Sequence, residues 1–396
     1  MFKAQRDYRI NLRKYRLFYW PLLLPVALLI ALFNKISPVP FKIYPIRVER
    51  VGQMAANQEE YLCRLDMGLY PKEFRIFVYR DKPSNGVLLD ILKQAMPINN
   101  LFLPLFDICH KLGGMGVTSM AINDLHGDDE SHFTDVTKQH FFLSDEQLKQ
   151  ARKEYQALGL DPDKPFIPIL GRDPAYLDSI GEPTFDDNKR NVDINTYVKA
   201  IEYMAERFTV LRIGSVVKMP LKCSHPNVFD YSFSGKRSEL LDIYFTYKCH
   251  FFMSCGTGLD ALSSWCFRLP VLLVNFIPPS LTSNLRKNSV VILKKYWLDK
   301  ENRYLTLSEL FENGMGYVYD GATLRENGIT VHDNTPEEIL EACKEMIARL
   351  DGTWVETPED VEMQEQFWNT YTKYKDVKHS VKVGTVFLRE NPYYRS

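Results

Sequence analysis

The sequence predicts an α/β protein in which two parallel-sheet domains follow a basic, hydrophobic N-terminus. Short apolar runs alternate with amphipathic segments, and this β-α-β-α pattern restarts after a break at Gly159–Lys164. With 396 residues the chain is long enough for two domains of ordinary size. A composition of 45% hydrophobic and 25% charged residues excludes a disordered or fibrous protein.

Residues 1–36 predict a membrane anchor. Basic residues dominate the first 16 positions and precede the uncharged run Leu17–Phe33. As a helix this run reaches about 25 Å, slightly less than the ~30 Å hydrocarbon core of a bilayer, and Pro21 and Pro25 interrupt it. We therefore expect an interfacial or re-entrant anchor that binds the inner membrane surface through residues 1–35, with the catalytic body in the cytoplasm. The alternative is a single-pass protein with its body outside the cytoplasm.

The first domain is predicted over residues 43–158. Ile43–Val51 and Phe74–Tyr79 alternate as strands do, and a helical segment follows each of them. Ligands of such sheets bind beyond the carboxyl ends of the strands. We therefore expect a cleft after the first strand, with Glu59 as a candidate catalytic carboxylate. The cleft positions are Gly52, Gln53, Asn57 and Glu59.

The region 110–140 concentrates glycine, histidine and acidic residues without periodicity, which predicts a loop. It is either a solvated surface segment or a loop that supplies a general base. A base must reach the hydroxyl that it deprotonates and have a pKa near the working pH. The candidates are Asp124, His126 and His132.

The second domain is predicted over residues 164–350, where a strand beginning at Phe166 leads into Gly171-Arg172-Asp173. An arginine at a strand end is well suited to hold a diphosphate, because its fork matches phosphate oxygens and stays charged. The alternative is a loop ion pair between Arg172 and Asp173. Further candidates around the same cleft are Arg190, Asn191, Arg212, Asn275 and Lys294, the last of which is otherwise part of a solvated basic patch.

The stretch Phe251–Phe276 is the central motif of this domain. It predicts a strand, the small-residue turn Cys255-Gly256-Thr257-Gly258, a compact helix and a second strand. Such a turn presents backbone N–H groups to an anion, although it is also compatible with an ordinary tight turn. Because it lies in a repeated β-α-β-α pattern that has an arginine at another strand end, we favour a diphosphate site.

Charge and cysteine content exclude other classes of partner. The formal net charge of -1 gives no reason to expect nucleic-acid binding. The 7 cysteines lack CxxC pairing and are odd in number, which favours free thiols in a reducing compartment, and we expect no metal site among them. Residues 351–396 predict a C-terminal helix and tail.

Several blocks, taken in order, resemble a family of bacterial glycosyltransferases found with surface-polysaccharide genes: FIPILGRDPAYL, VLRIGS, FFMSCGTGLDALSSWCFRLPVLLVN and LTLSEL. The resemblance covers about residues 43–345, and the family resembles the architecture of two facing Rossmann-like domains called GT-B. More distantly, the CGTG turn resembles the donor-phosphate turn of heptosyltransferases. Gly171-Arg172-Asp173 resembles the strand-end arginine block of fucosyltransferases. Gln53 stands where relatives have a histidine, which argues against a catalytic role at that position.

The resemblance implies a glycosyltransferase that moves a sugar from a nucleotide-sugar donor to a hydroxyl of a lipid-linked or surface glycan. Turn N–H groups and arginines would neutralise the departing diphosphate, so that no metal and no cofactor beyond the nucleotide sugar are expected. The acidic pairs Asp128-Asp129 and Asp186-Asp187 leave a metal as the alternative. Two other classes share the fold. One is a non-catalytic membrane-tethered scaffold, and the other is a pyruvyl or phospho-sugar transferase.

Overall fold

The computed structural model describes residues 20–122, 132–175 and 189–396. They form a mixed α/β protein with a large parallel sheet, and they divide into two compact units. Of the described residues, the first unit contains those up to 122 together with 136–143, and the second contains 132–135 and everything from 144 onward. Each unit is therefore described separately.

The first unit is built on a small parallel sheet. Strands β1 (Phe41–Pro45) and β2 (Phe74–Val78) pair in parallel along their whole length. Single parallel bridges extend the sheet at both sides, from Ile43 to Thr118 and from Phe77 to Ile98. The order across the sheet is thus residue 118, β1, β2, residue 98. The strand order reverses beside β1, because the segment at residue 118 comes last in the chain but lies on the far side of the first strand.

Helices surround this sheet. They are α1 (residues 20–36), α2 (Val51–Asp66), α3 (Gly86–Ala95) and α4 (Leu103–Lys111). The short α5 (Phe133–Val136) comes next in the chain and belongs mainly to the second unit. The core beneath them includes Ile43, Val78 and Phe106. Asn85 caps α3 through its side chain, which accepts a hydrogen bond from the Leu88 N–H. The helices that we predicted after the two strands are therefore present.

Helix α1 is part of the first unit. Ala27 is fully buried in its core, and Asn34 Nδ2 donates to the carbonyls of Phe41 and Gly116 at 2.8 Å. Among the described residues, the helix continues through both Pro21 and Pro25, which we expected to interrupt it. Residues 1–19 of the predicted anchor lie outside the described residues. Within the described part of the chain, no helix combines the length and the apolar character needed to cross a bilayer.

The second unit is built on a seven-stranded sheet in the order β12-β8-β7-β6-β3-β4-β5, and all of its pairings are parallel. Its strands are β3 (Phe166–Ile169), β4 (Thr209–Arg212), β5 (Val228–Asp230), β6 (Phe252–Ser254), β7 (Val271–Phe276), β8 (Val290–Leu293) and β12 (Lys382–Val383). Strands β9 (Lys295–Leu298), β10 (Arg303–Tyr304) and β11 (Ile329–His332) form a separate antiparallel sheet. The central strands are apolar and buried, as both-side coverage by helices requires.

The order of the large sheet reverses once among its central strands. The chain passes from β3 through β4 to β5 in one direction, then returns to the other side of β3 and continues through β6, β7 and β8. Strands β3 and β6 are therefore neighbours in space, joined by the Leu170 N–H to Met253 carbonyl bond of 2.9 Å. Sheets of this kind bind their ligands beyond the carboxyl ends of the strands at such a reversal. We call this place the switch-point edge.

The helices of the second unit are α6 (Asp145–Ala157), α7 (Val198–Ala205), α8 (Glu239–Lys248), α9 (Gly258–Ala261), α10 (Leu307–Glu312), α11 (Gly321–Glu326), α12 (Pro336–Leu350), α13 (Pro358–Thr372) and α14 (Thr385–Glu390). A π-helical turn, Leu262–Cys266, continues α9. Ser144 and Gln147 form a capping box at the start of α6.

The boundary between the units differs from the one predicted at residues 159–164. Helix α6 belongs to the second unit, because Tyr155 packs against Phe166 and Phe245 and is fully buried. The Ser238 hydroxyl also donates to Glu154 Oε2 at 2.6 Å. Amphipathic periodicity shows that α6 has a buried face, but it does not show which sheet buries it.

The C-terminal segment is part of the second unit and not a separate tail. Strand β12 pairs with β8 at the edge of the large sheet, and Tyr394 is fully buried, with its hydroxyl donating to the Lys294 carbonyl. This segment packs tightly against β8 at Gly384, where an added Cβ would lie 2.6 Å from Ile292 Cγ2. The last 15 or so residues therefore complete the core.

Asp242 gives this unit a predictable pH dependence. Burial raises the pKa of its carboxyl to about 6, although the 2.5 Å ion pair with Arg237 acts to lower it. Because the pKa is higher in the folded state, Asp242 stabilises the protein fully at pH values below its unfolded-state pKa, which is near 3.9. That stabilisation is lost as the pH rises through about 6. We expect the Asp242 contribution to the free energy of unfolding to fall by about 2–3 kcal/mol between pH 4 and pH 7.

Urea unfolding at pH 4.5 and pH 7 measures this effect. Asp242→Asn should remove its share of the pH dependence, whereas Asp90→Asn, at an exposed position of α3, should leave the dependence unchanged. An Asp242→Asn variant with the same pH dependence as the parent protein would contradict the assignment.

Candidate functional site

The switch-point edge brings together loops from distant parts of the chain. Cys255, directly after β6, is fully buried. Its sulfur accepts a hydrogen bond at 3.3 Å from the N–H of Arg172, which lies in the loop after β3. The same sulfur lies 3.8 Å from the carbonyl oxygen of Arg190. Burial raises the pKa of this thiol, so it is a neutral packing group. Cys255 thus holds three of the predicted site segments against one another.

The turn after Cys255 is shaped by Gly256 and Asp260. Gly256 has φ 86°, and an added Cβ would lie 3.0 Å from the Phe276 ring, so only glycine fits without strain. Asp260 accepts hydrogen bonds from the Ser254 hydroxyl at 2.7 Å and from the Thr257 N–H. The Thr257 N–H already donates to Asp260. Contrary to our prediction, it is therefore not available to bind an anion. The anion-binding role of Gly256 and Gly258 stays a prediction.

Arg190 carries positive charge to the turn. Its guanidinium donates to the Gly256 carbonyl and lies 5.4 Å from the ring of Tyr319. Burial raises the pKa values of Cys255 and Asp260, and the positive charge of Arg190 acts in the opposite direction. Arg172, in the loop after β3, is half-buried. Two arginines therefore belong to the loops around the switch-point edge.

Polar groups continue along the edge from Arg190. Lys294 Nζ donates to the Asn191 carbonyl at 3.0 Å and pairs with Asp333 at 2.6 Å. Lys294 is only 2% exposed, which excludes the solvated patch that we considered for it. Asn275, at φ 54° near the end of β7, exchanges two hydrogen bonds with Asn334 of 2.5 and 2.6 Å. These residues fix the backbone beside the switch-point edge.

Asp173 and Arg212 make contacts that stabilise loops. Asp173 Oδ2 accepts from the Lys218 N–H at 2.8 Å and thereby joins two strand-end loops. Arg212 is 3% exposed, and its guanidinium donates to Asp230 Oδ2 at 3.1 Å and to the Met219 carbonyl. This buried pairing is a structural role that sequence did not indicate. A contact of either side chain with a diphosphate stays a prediction.

A pocket of about 200 Å³ lies at the carboxyl ends of β1 and β2 in the first unit. We call it the first-unit pocket. Arg47, Arg80 and His110 supply positively charged or polar groups to its wall, and Phe106 and Met120 supply apolar surface. The Arg80 guanidinium pairs with Asp107 and lies 5.7 Å from the ring of Phe106, which stacks on His110. The wall is suited to a polar ligand that also has an apolar face.

Two carboxyl groups, Glu49 and Asp81, face this pocket from adjacent loops. The Ser84 N–H donates to the Val48 carbonyl at 2.8 Å and holds the loop after β2 against the loop after β1. Burial raises the pKa of Glu49, and a hydrogen bond with Asp81 raises it further. Such carboxylate pairs occur at sites of proton transfer, because like charges push one pKa toward neutrality.

The other predicted residues of the first unit lie along α2 or outside the described residues. Gly52, Gln53 and Asn57 are in the first two turns of α2, and none of them is among the residues lining the first-unit pocket. Glu59 is 0% exposed, and its Oε1 lies 3.1 Å from His140 Nδ1. Asp124 and His126 belong to the segment 123–131, which is outside the described residues.

His132 is the one loop candidate that the structure describes. It is 6% exposed, and its Nε2 lies 2.9 Å from the Lys378 carbonyl while its Nδ1 lies 3.3 Å from Asp135. Asp135 in turn pairs with Arg286 at 2.9 Å. Both ring nitrogens therefore have protein partners, which describes a structural histidine better than a general base.

Sequence reasoning missed Glu49, Asp81 and the pocket that they line. Glu49 was read as part of a long first strand, but β1 ends at Pro45 and the following residues form a loop. Pro45 was the available signal, since a proline removes a donor from the strand. An acidic residue shortly after each of two parallel strands was a second signal.

No protein-family profile and no curated protein matches the chain. Among the solved structures that align with it are two transferases. One is the glycosyl transferase family 9 protein of Veillonella parvula DSM 2008, at 11% identity over 79% of this chain and 99% of that one, with a TM-score of 0.45. The other is ADP-heptose LPS heptosyltransferase II of E. coli, at 14% identity over 78% and 100%, also with a TM-score of 0.45. Neither alignment is close enough to transfer residue roles.

Proposed function

We propose that this protein is a glycosyltransferase that moves a sugar from a nucleotide-sugar donor to a hydroxyl of a glycan acceptor. The observation that carries the proposal is that each unit contains a polar site of its own and that the two sites differ chemically. Each unit has a polar site at the carboxyl ends of parallel strands, near a reversal of strand order. The site of the second unit has Arg172 and Arg190 in its loops, and the site of the first unit has a carboxylate pair besides Arg47 and Arg80.

The donor diphosphate would bind at the switch-point edge. Arg172 and Arg190 flank the glycine turn there, and guanidinium groups bind phosphate oxygens through paired, charge-assisted hydrogen bonds. Negative charge grows on the diphosphate as it leaves, so cations positioned beforehand stabilise the transition state. In this proposal the protein's own cations stabilise the leaving group, and transfer needs no metal.

The acceptor would bind in the first-unit pocket, where Glu49 is the base. Its carboxylate takes the proton of the acceptor hydroxyl while the hydroxyl oxygen attacks the anomeric carbon. The bond from that carbon to the diphosphate breaks, and a glycosidic bond forms. Asp81 is a positioning residue, since its hydrogen bond with Glu49 raises the pKa of the base toward the working pH.

Thermal unfolding with UDP-, GDP- and CMP-type nucleotides and their sugars tests donor binding. A ligand at 100 times its Kd stabilises the folded state by about 2.7 kcal/mol, a shift that is readily measured. We expect Arg172→Ala to weaken this binding at least tenfold, because it removes a charge-assisted contact. The control is Arg152→Ala, which removes only a surface ion pair with Asp163. Absence of a shift with every nucleotide would overturn the proposal and favour a non-catalytic scaffold.

The acceptor is, in this proposal, lipid-linked, and helix α1 binds the membrane surface. Its outward side carries large apolar side chains that no described residue covers: Leu22, Leu28, Leu29, Leu32, Phe33 and Ile36 are 45% to 79% exposed. The preceding 16 residues are rich in lysine and arginine, which are attracted to anionic headgroups. An apolar helix face next to basic residues is typical of an interfacial anchor.

Substitutions on this face test the anchor better than deletion does. Deleting residues 1–35 would also remove the core residue Ala27 and the Asn34 hydrogen bonds, and so would destabilise the first unit. Replacing Leu28, Leu29 and Leu32 together by glutamine should reduce sedimentation with anionic vesicles at least tenfold. That expectation follows from the lost apolar burial, at about 25 cal/mol per Å².

A matched triple variant serves as the control for vesicle binding. Met67, Leu69 and Leu101 are 49%, 56% and 86% exposed and belong to the same unit. Replacing these three by glutamine should leave sedimentation unchanged. Equal losses in both triple variants would argue against a specific role for α1.

A further inference from the structure

A cluster in the first unit has the composition of a transition-metal site. Glu59 and Cys63 lie one helical turn apart on the buried face of α2, and both are 0% exposed. His140 comes from the segment 136–143, far along the chain, and points its Nδ1 at the same place. Within the described residues, this is the one group of three such side chains whose ligand atoms all lie within 4.8 Å of one another.

The spacing of the donor atoms matches that of a tetrahedral zinc site. Zinc bonds of about 2.1 Å to oxygen, 2.0 Å to nitrogen and 2.3 Å to sulfur put oxygen and nitrogen about 3.4 Å apart and oxygen and sulfur about 3.6 Å apart. The corresponding separations here are 3.1 Å from Glu59 Oε1 to His140 Nδ1 and 3.6 Å from Glu59 Oε1 to Cys63 Sγ. An ion would therefore fit with small side-chain adjustments.

The groups around the three ligands are those that support a metal. His140 Nε2 lies 3.1 Å from Asp66 Oδ2, so a carboxylate can orient the ring and increase its basicity. The Thr137 hydroxyl lies 3.0 Å from Cys63 Sγ and can donate to a thiolate. Two carboxylates and a thiolate around one imidazole favour a divalent cation, which offsets most of their negative charge.

We propose that Glu59, Cys63 and His140 bind a zinc ion, with Asp66 as a positioning residue for His140. A cysteine, a histidine and a carboxylate together select zinc over magnesium or calcium, which prefer oxygen ligands. The ion joins α2 to the segment 136–143, which is continuous at both ends with residues of the second unit. This role is separate from sugar transfer, and it adds a metal site that sequence reasoning did not anticipate.

Titration of the full-length protein with cobalt and zinc tests the site. We expect one cobalt ion per chain and a near-ultraviolet sulfur-to-cobalt charge-transfer band, both of which zinc displaces. Cys63→Ser, nearly the same size, should abolish the band and weaken zinc binding at least 100-fold. Asp66→Asn should weaken zinc binding about 10–100-fold while keeping the band, as is typical for loss of a carboxylate behind a ligating histidine.

Cys109→Ser is the matched control, because Cys109 is another fully buried thiol of the first unit. It should keep the charge-transfer band and the affinity of the parent protein, and circular dichroism should show that all the variants are folded. A parent protein that binds no cobalt above background would overturn the proposal. So would a Cys63→Ser variant that keeps the charge-transfer band. Nucleotide binding is measured separately, so failure of this site leaves the proposed transferase function unaffected.

Discussion

Replacing Glu49 by glutamine is expected to reduce kcat for sugar transfer by about 10²–10⁴-fold, the usual contribution of a general base. Glutamine keeps the size of the side chain and its hydrogen-bonding capacity but accepts no proton. Donor binding at the switch-point edge should be unchanged, because Glu49 belongs to the first unit. The measurement is sugar transfer under saturating donor and acceptor, together with nucleotide affinity.

The pH dependence of kcat/KM distinguishes a base from a structural carboxylate. The raised pKa of Glu49 means that activity falls as pH decreases through that value, because protonation removes the base. Asp81→Asn removes the neighbouring carboxylate and should move this acid limb to lower pH. The control is Glu73→Gln, since Glu73 directly precedes β2 and is not among the residues that line the pocket. Full activity in Glu49→Gln would show that the base lies elsewhere, with Asp124 and His126 the next candidates.

Replacing Gly256 by alanine is the second large expectation, and it concerns the donor. A Cβ at φ 86° strains the backbone, and it would also lie 3.0 Å from the ring of Phe276. The turn must shift, which moves the N–H groups that we propose bind the diphosphate. We expect the Kd for the nucleotide sugar to rise at least tenfold and the free energy of unfolding to fall by about 1–3 kcal/mol.

Gly314→Ala separates these two effects. Gly314 has φ 77°, and an added Cβ meets no atom within 4 Å, so its substitution produces similar backbone strain away from the switch-point edge. Both variants should lose stability in urea unfolding, and only Gly256→Ala should lose affinity for the nucleotide sugar. A normal nucleotide affinity in Gly256→Ala would remove the turn from the donor site.

Features that depend on neighbouring residues could be predicted from the sequence. Helix α12 combines a Thr335 cap, a proline in its first turn and apolar residues at helical spacing, so its limits are encoded within 16 residues. The turn at Gly256 was recognised for the same reason. The strands β6 and β7 that flank this turn were also recognised, because apolar runs bounded by turn residues are local signals.

Contacts between distant residues could not be predicted in the same way. Arg212 and Lys294 are both cations near strand ends, and composition does not show that each pairs with an acid inside the protein. His140 lies 81 residues from Glu59 along the chain and meets it only after the segment folds onto α2. The order of the seven strands likewise depends on how the helices cover both faces of the sheet.

The sequence by itself determined the α/β class, the repeat of its pattern and the glycine turn after β6, because periodicity and turn chemistry act over a few residues. Only the tertiary structure decided that Cys255 meets Arg172, that Glu49 and Asp81 share one pocket and that the C-terminal strand β12 completes the large sheet. The physical reason is that burial and charge pairing are properties of assembled surfaces. Their energies depend on which distant segments exclude water together.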